Sequence, residues 1–404
     1  MTPRIWLGRF LFAGILAFML SATAYAEKKY DSGASDEVIK IGSTAPLSGP
    51  GSAFGQISRA AAAYFKKVND EGGVNGRKIE FVVADDGYSP PRTIEQTRRL
   101  VEGEQVLAMF GMVGSATNGA VHKYLNAKKV PHLFIGSTST KWDNPKAFPW
   151  SVGWMPNGII ETAAYTAFID ESHPNAKIGV LYQDDEFGKD YVKGLQQALG
   201  DRYKQRVISE QSYVTTDSTV DTQIISLKSS GADIVYLFAT PKFAAQAIRK
   251  IYDIDWKPTI LVSNVSASVG AVLTHAGLEK SVGVISSRYL KDATGPGIES
   301  DEGYIEWAAF MDKYMPDGNK TDYLNVYGYT IAQNLVYVLE KAGDNLTREN
   351  VLLQATTMKD VRLPMLVEGL LINNSKESYS PVRKLQLIRF DGEQFVPFSD
   401  FVGN

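Results

Sequence analysis

Val38-Ile39-Lys40-Ile41-Gly42, the loop Ser43-Thr44-Ala45-Pro46-Leu47-Ser48-Gly49-Pro50-Gly51-Ser52-Ala53-Phe54-Gly55 and the run from Ser58 to Asn69 together decide the fold. The first five residues read as a buried strand. The run from Ser58 to Asn69 places Ala and Tyr or Phe on one face and reads as a helix. Gly72-Gly73-Val74-Asn75-Gly76 is a turn cluster, and it opens into Lys78-Ile79-Glu80-Phe81-Val82-Val83, a second strand. Strand, helix and strand in that order imply a right-handed crossover between parallel neighbours.

The same unit recurs on both sides of the chain's midpoint. Helical patterns over Pro91 to Glu102 and Thr117 to Lys128 alternate with strands over Val106 to Phe110 and Pro131 to Ile135. A second series starts near Pro156. Its helices cover Asn157–Ile169, Gly188–Leu199, Thr219–Ser230 and Pro241–Tyr252; its strands cover Lys177–Tyr182, Val207–Tyr213, Asp233–Phe238 and Ile260–Val262. From Val284 the alternation changes. Helices near Glu302–Tyr314, Leu324–Ala342 and Arg348–Thr357 precede strands at Lys384–Phe390 and Gln394–Phe398. Between the two series, Pro145, Pro149 and Pro156 alternate with Trp150 and Trp154, as a short extended crossover would. The expected fold is α/β, with two doubly wound parallel-sheet lobes facing one another across a cleft.

Composition narrows the function. The 404 residues are 44% apolar and 22% charged, an ordinary globular balance for two or three domains. With 42 Lys and Arg against 45 Asp and Glu, no excess of positive charge exists to neutralise phosphates, so nucleic acid is not an expected partner. The absence of cysteine excludes disulfides, thiol nucleophiles and thiolate metal sites. Residues 1–26 read as a secretory signal peptide: Arg4 and Arg9, an apolar run from Phe10 to Leu20, then small residues at Ala24 and Ala26 before the expected cleavage. The mature chain is expected in the periplasm, soluble, monomeric and without a lipid anchor.

Catalytic machinery is missing from the sequence. His122, His132, His173 and His275 show no ligand spacing. No Gly-x-Ser-x-Gly elbow and no phosphate-binding glycine motif occurs. Asp85-Asp86 and Asp184-Asp185-Glu186 read first as helix-capping clusters. The chain is therefore expected to be no enzyme and to hold no metal or cofactor.

What stands out instead are post-strand loops rich in hydroxyl and small residues. They are the Ser43–Gly55 loop, Gly111-Met112-Val113-Gly114-Ser115-Ala116-Thr117, Gly136-Ser137-Thr138-Ser139-Thr140-Lys141-Trp142, and Thr240-Pro241-Lys242-Phe243. Free N–H groups at a helix start together with hydroxyls bind a carboxylate without a cationic partner. The plainer reading makes Thr117 and Thr240 N-caps and Pro241 a first-turn proline; one loop can serve both ends.

Pro46-Leu47-Ser48-Gly49-Pro50 with Phe54-Gly55 resembles the opening motif of type I periplasmic solute-binding proteins, and more closely the branched-chain amino acid and amide group of ABC importers. Asn69-Asp70-Glu71-Gly72-Gly73-Val74-Asn75-Gly76-Arg77, Asp185-Glu186-Phe187-Gly188 and Ser230-Gly231-Ala232-Asp233 continue the resemblance in order along the chain. It implies two lobes joined by a three-crossing hinge: residues 37–155 with 287–376, and 156–286 with 377–404. It also implies a small carboxylate or amino-acid-like ligand captured by hinge closure, with an importer permease and its ATPase subunits as partners. On this likeness Ser115, Ser137, Thr138 and Ser139 would hold the ligand carboxylate, Phe54 and Phe187 would form aromatic walls, and Lys242 and Phe243 would close over it.

One departure sharpens the ligand. Amino acid receptors of this group carry an acidic residue in the loop after the strand that here ends near Val262, where it balances the ligand's ammonium. Ser263-Asn264-Val265-Ser266-Ala267-Ser268 has none. An unpaired ammonium in a closed cleft costs several kcal/mol. With Trp142, Trp154, Phe54, Phe187 and Phe243 nearby in this reading, and Ser266 in place of the acid, an apolar or aromatic carboxylate is expected unless Asp184 or Asp185 supplies the charge. Lys141, Lys242 and Arg288 are the candidate cations beside the anion. The alternatives are a branched-chain amino acid or amide receptor, and a sensor that hands the ligand to a signalling partner.

Overall fold

The computed structural model describes residues 28–403; the expected signal peptide lies outside them. Two large sheets carry the chain, beside a two-stranded pair of Lys29–Tyr30 with Asn345–Leu346. The first has five parallel strands in the spatial order Lys78–Asp85, Val38–Ala45, Ala108–Phe110, His132–Ile135, Ser151–Gly153. The second has seven, in the order Phe395–Gly403, Lys384–Phe390, Ile285–Arg288, Thr259–Val262, Ile234–Phe238, Ile178–Gln183, Val207–Tyr213. Five of these run parallel to their neighbours. The two C-terminal strands add antiparallel at one edge, so this sheet is mixed rather than wholly parallel. Hairpin-connected strands need no crossover, which is why an edge is where they join.

The chain passes between the sheets three times: after Gly153, after Arg288, and before Lys384. Between the second and third passages, the helices Glu302–Tyr314, Tyr323–Ala342 and Arg348–Thr356 return to the five-stranded sheet and share its core. Two short strands escape the periodicity argument. Ser151–Gly153 is only three residues long and follows Pro149. Ile285–Arg288 contains two serines that are wholly buried, a composition that reads as loop until their hydrogen bonds are seen.

Local chemistry explains the opening unit. Helix Gly55–Asp70 buries Ile57, Ala60, Ala61, Tyr64, Phe65 and Val68, a stripe at helical spacing that packs against Tyr323–Ala342. The helix stops where Gly73 takes φ +79; a Cβ there would stand 2.2 Å from the Arg77 carbonyl oxygen, so only glycine fits. Asn69 then clamps the following strand, donating to the Ile79 carbonyl and accepting from its N–H, both at 2.8 Å. Arg77 is buried and donates to Ser35 O, Tyr30 Oη and Asp344 Oδ1. The conspicuous Asn69-to-Arg77 stretch is thus structural. Among the described residues no helix is long and apolar enough to cross a membrane.

Candidate ligand-binding cleft

A small cavity, with about 30 Å³ of room for the centres of water-sized spheres, lies between the lobes, where strand carboxyl ends of both sheets face each other. The five-stranded lobe contributes Phe54 and Ile57 at the start of its first helix, and Tyr88 after strand Lys78–Asp85. From the same lobe come Gly114 and Ser115, the segment Gly136-Ser137-Thr138, and Tyr323, Leu324 and Tyr327 at the start of the long helix. The seven-stranded lobe contributes Phe187, Thr240 and Val265, and Met155 arrives from the first crossing. No side chain in this lining is charged.

The polar end is built at a helix start. Gly114 has φ +102, and a Cβ on it would meet Thr117 Oγ1 at 2.6 Å and the Tyr88 ring at 2.8 Å. Its conformation turns the chain so that helix Ser115–Ala127 begins at the cavity wall. The first-turn N–H groups have no acceptor within their own helix. Ser115 Oγ lies 2.7 Å from Ser137 Oγ, tying two loops into one hydroxyl surface. Thr138 Oγ1 is buried with no hydrogen-bond partner. The macrodipole at this end favours a negative ligand group.

Of the residues singled out in the sequence, Phe54, Ser115, Ser137, Thr138 and Phe187 meet at the cavity. The others are placed elsewhere. Ser139 donates to the Asp190 carboxylate of the opposite lobe. Trp142 is buried behind the wall, its ring 5.7 Å from that of His122 and 6.2 Å from that of His132. Lys242 reaches the Asp217 carbonyl outside the cavity. Phe243 is wholly buried in its own lobe, against Tyr213 at 4.3 Å. Ser266 donates to Ala239 O at 2.7 Å, bracing its loop, and Val265 beside it forms the wall instead.

The plainer readings of the caps also change. Thr117 stands inside the first turn and its hydroxyl bonds back to Val113 O and Gly114 O. Thr240 does hold the N-cap position, with Pro241 first in the helix, but its hydroxyl makes no capping bond and donates to Gln183 Oε1 at 3.1 Å. Asp185 is the working cap, accepting from Phe187 N and Gly188 N while Oδ2 takes Gln183 Nε2; burial raises its pKa against those bonds. Asp184 pairs with Lys189. Neither acid lines the cavity.

The cationic candidates are likewise committed elsewhere. Lys141 Nζ pairs with Glu186 Oε2 at 2.5 Å, across the cleft. Arg288 donates twice to Gln386 Oε1 on the adjoining strand. His132 is buried and held neutral, its pKa pushed down to about 3 by burial, so it adds no charge either.

Sequence reading missed the long helix's contribution. Tyr323, Leu324 and Tyr327 read as core, because nearly the whole helix is buried. The available signal was two tyrosines four apart directly after a capping Asp322, since such hydroxyls share one face. It also missed Glu161. That carboxylate, fully buried, accepts from Tyr165 Oη, Tyr191 Oη, Ser287 Oγ and Asn264 N, fastening four elements of the seven-stranded lobe below the cleft. Burial raises its pKa, against the pull of those four donors.

The lobes are shut. Besides the Lys141–Glu186 pair and the Ser139–Asp190 bond, Thr140 N donates to Asp190 Oδ2 at 3.3 Å. Elsewhere along the cleft Gly270 N donates to Thr321 O at 2.9 Å. Ser268 Oγ donates to Asp322 Oδ1 and accepts from Tyr323 N.

The family model described as "Periplasmic binding protein" matches residues 38–391. The chain belongs to the type I periplasmic binding proteins of the Leu/Ile/Val-binding kind. The chain is similar to the Leu/Ile/Val-binding protein homolog 7 of Brucella suis, 26% identical over 233 residues. That match covers 55% of this chain and 58% of the relative, so the chain spans somewhat over half of that relative's length. Homolog 1 of Brucella abortus is 23% identical over 320 residues, 77% of this chain and 80% of the relative. Among solved binding proteins, a branched-chain amino acid ABC transporter protein of Thermus thermophilus with bound valine superposes with a TM-score of 0.82. It is 17% identical and covers 92% of this chain and 98% of its own. A fatty acid ABC transporter substrate-binding protein of Thermomonospora curvata gives 0.80 at 22% identity, covering 93% and 95%.

Proposed function

We propose that this chain is the periplasmic substrate-binding protein of an ABC importer, capturing a small apolar or aromatic carboxylate rather than an α-amino acid. The observation that carries the reading is the cavity itself: aromatic and aliphatic walls, a hydroxyl-lined helix start, and no charged side chain. A carboxylate is served there by the Ser115, Ser137 and Thr138 hydroxyls and the first-turn N–H groups. An ammonium is not served, because no acid lines the space. The Thermomonospora curvata protein, of a fatty acid ABC transporter, is consistent with such a ligand; the valine of the Thermus thermophilus protein stands for the amino acid alternative.

Closure is a population shift: the ligand binds one lobe, and contacts from the other favour the shut state. The moving bodies in this reading are 37–155 with 287–376, and 156–286 with 377–404, bending at the three crossings. Binding and release without turnover, monomeric behaviour, export by the leader and delivery to a permease complete the proposal.

A thermal-shift panel on refolded, ligand-stripped protein tests it, using amino acids, short amides, aliphatic carboxylates and substituted benzoates. A ligand at 100 times its Kd stabilises by about 2.7 kcal/mol, a shift of several degrees at this size. Shifts confined to non-amino carboxylates support the reading. Equal or larger shifts with leucine or valine sink it.

A further inference from the structure

The cavity has a further set of polar groups, tyrosine hydroxyls that border the carboxylate end. The hydroxyls of Tyr289, Tyr323 and Tyr327 are all buried and none has a hydrogen-bond partner among the described residues. Tyr323 and Tyr327 stand four apart on the long helix and form part of the cavity wall. Tyr327 Oη would lie 3.5 Å from a Cβ placed on Gly136, another wall residue. Tyr289 backs them through Trp154, whose ring centroid is 5.9 Å from that of Tyr289 and 5.4 Å from that of Tyr327. The Tyr289 hydroxyl approaches that of Tyr323 closely enough to favour it as an acceptor, without a hydrogen bond of good geometry between them.

Packing alone does not explain three tyrosines here. Phenylalanine would fill the same volume and leave no buried hydroxyl unpaired, a state that native interiors avoid. Three buried tyrosines of the other lobe are matched, Tyr165 and Tyr191 donating to Glu161 and Tyr213 to Gln183, while Tyr236, packed on Tyr165 away from the cavity lining, is not. Burial raises the pKa of all three unpaired phenols, so they remain neutral O–H donors. Neutral donors suit an uncharged oxygen.

We propose that Tyr289, Tyr323 and Tyr327 form a second polar pole of the cavity, which takes a hydroxyl or keto oxygen carried by the ligand in addition to its carboxylate. The substrate class is then a hydroxy- or oxo-substituted apolar acid, not a plain hydrocarbon acid. Tyr323 and Tyr327 are specificity-determining residues in contact with that oxygen, and Tyr289 is a positioning residue behind them. This rests on the reading above for the carboxylate end, but the pole itself is independent of which charged group accompanies it.

The test compares matched probes by calorimetry on the wild type, Y323F and Y327F. The pairs are benzoate against 3- and 4-hydroxybenzoate, 3-phenylpropanoate against phenylpyruvate, and phenylalanine against tyrosine. At least one oxygenated probe should bind the wild type about five- to tenfold more tightly than its parent. That preference, read as the ratio of the two affinities within one variant, should fall to about one in Y323F or Y327F. If no oxygenated probe is preferred, or the preference survives in both variants, the pole is overturned. A preference seen only for tyrosine over phenylalanine keeps the pole and overturns the non-amino carboxylate reading. Ligand-free protein gives a second readout. Y323F and Y327F should melt at the wild-type temperature or above, whereas a fall of several degrees in both means the hydroxyls are already satisfied in the resting protein, and the proposal fails.

Discussion

The loops of the five-stranded lobe and those of the seven-stranded lobe look alike in sequence and serve different ends. Gly114-Ser115 and Gly136-Ser137-Thr138 turn their small and hydroxyl residues into the cavity. Thr240-Pro241-Lys242-Phe243 and Ser263-Asn264-Val265-Ser266 turn most of theirs into their own lobe, where Phe243 packs on Tyr213 and Ser266 holds Ala239 O. One lobe presents most of the cavity's hydroxyls; the other presents a wall, through Phe187, Thr240 and Val265. The difference arises because a Ser or Thr after a strand can satisfy a ligand or a neighbouring backbone carbonyl equally well. Only the surrounding chain decides which acceptor is nearer.

The largest effect that would break this comparison concerns Phe243. If it is core rather than ligand wall, Phe243→Ala should destabilise the protein by about 3–5 kcal/mol in denaturant titration, with the order of ligand preferences among folded molecules unchanged. An intact melt with lost binding would instead place it at the ligand. Ser115→Ala is the reverse case. It should leave the ligand-free melt within a degree or two while weakening carboxylate binding by roughly 10- to 100-fold, the worth of one hydrogen bond to a charged group.

Glu161 sharpens the comparison through pH. Its folded-state pKa is raised above the ordinary 4.5 by burial. The folded protein therefore holds this proton more tightly than the unfolded chain, and the group's contribution to stability improves as pH falls through the raised value. Glu161→Gln should cost about 1–3 kcal/mol at neutral pH, and the wild type's lead should widen on acidification toward 4.5. A pH-independent lead would show that Glu161 does not titrate in that window. The smallest effect belongs to the cleft edge. Lys141→Ala should weaken binding by about 0.2–1 kcal/mol, with the loss shrinking in high salt because both partners are partly exposed.

Most strands and helices could be read from the sequence because their apolar periodicity was strong. Val207–Tyr213 and Glu302–Tyr314 coincide with the elements found, and most other boundaries shift by a few residues. Ile285–Arg288 could not be read so, since its identity as a strand depends on Ser286 bonding Val262 O and Ser287 bonding Glu161, both distant in sequence. The hydroxyl-rich side of the site was legible for a similar reason: glycines and serines after strands mark helix starts. The tyrosines were not, because a helix buried on every face gives no sign of which side touches a cavity. Glu161 was hidden too, since a single acid in a helix's first turn is ordinarily a response to the macrodipole.

The central claim is that a cleft without charge selects an acid over the corresponding amino acid. Calorimetric titration with leucine and with 4-methylpentanoate, which keeps the carbon skeleton and carboxylate and lacks only the ammonium, isolates that term. The account predicts that 4-methylpentanoate binds at least about a hundredfold more tightly, the consequence of burying an unpaired cation. Leucine binding as tightly as its deaminated analogue, or more tightly, would contradict it.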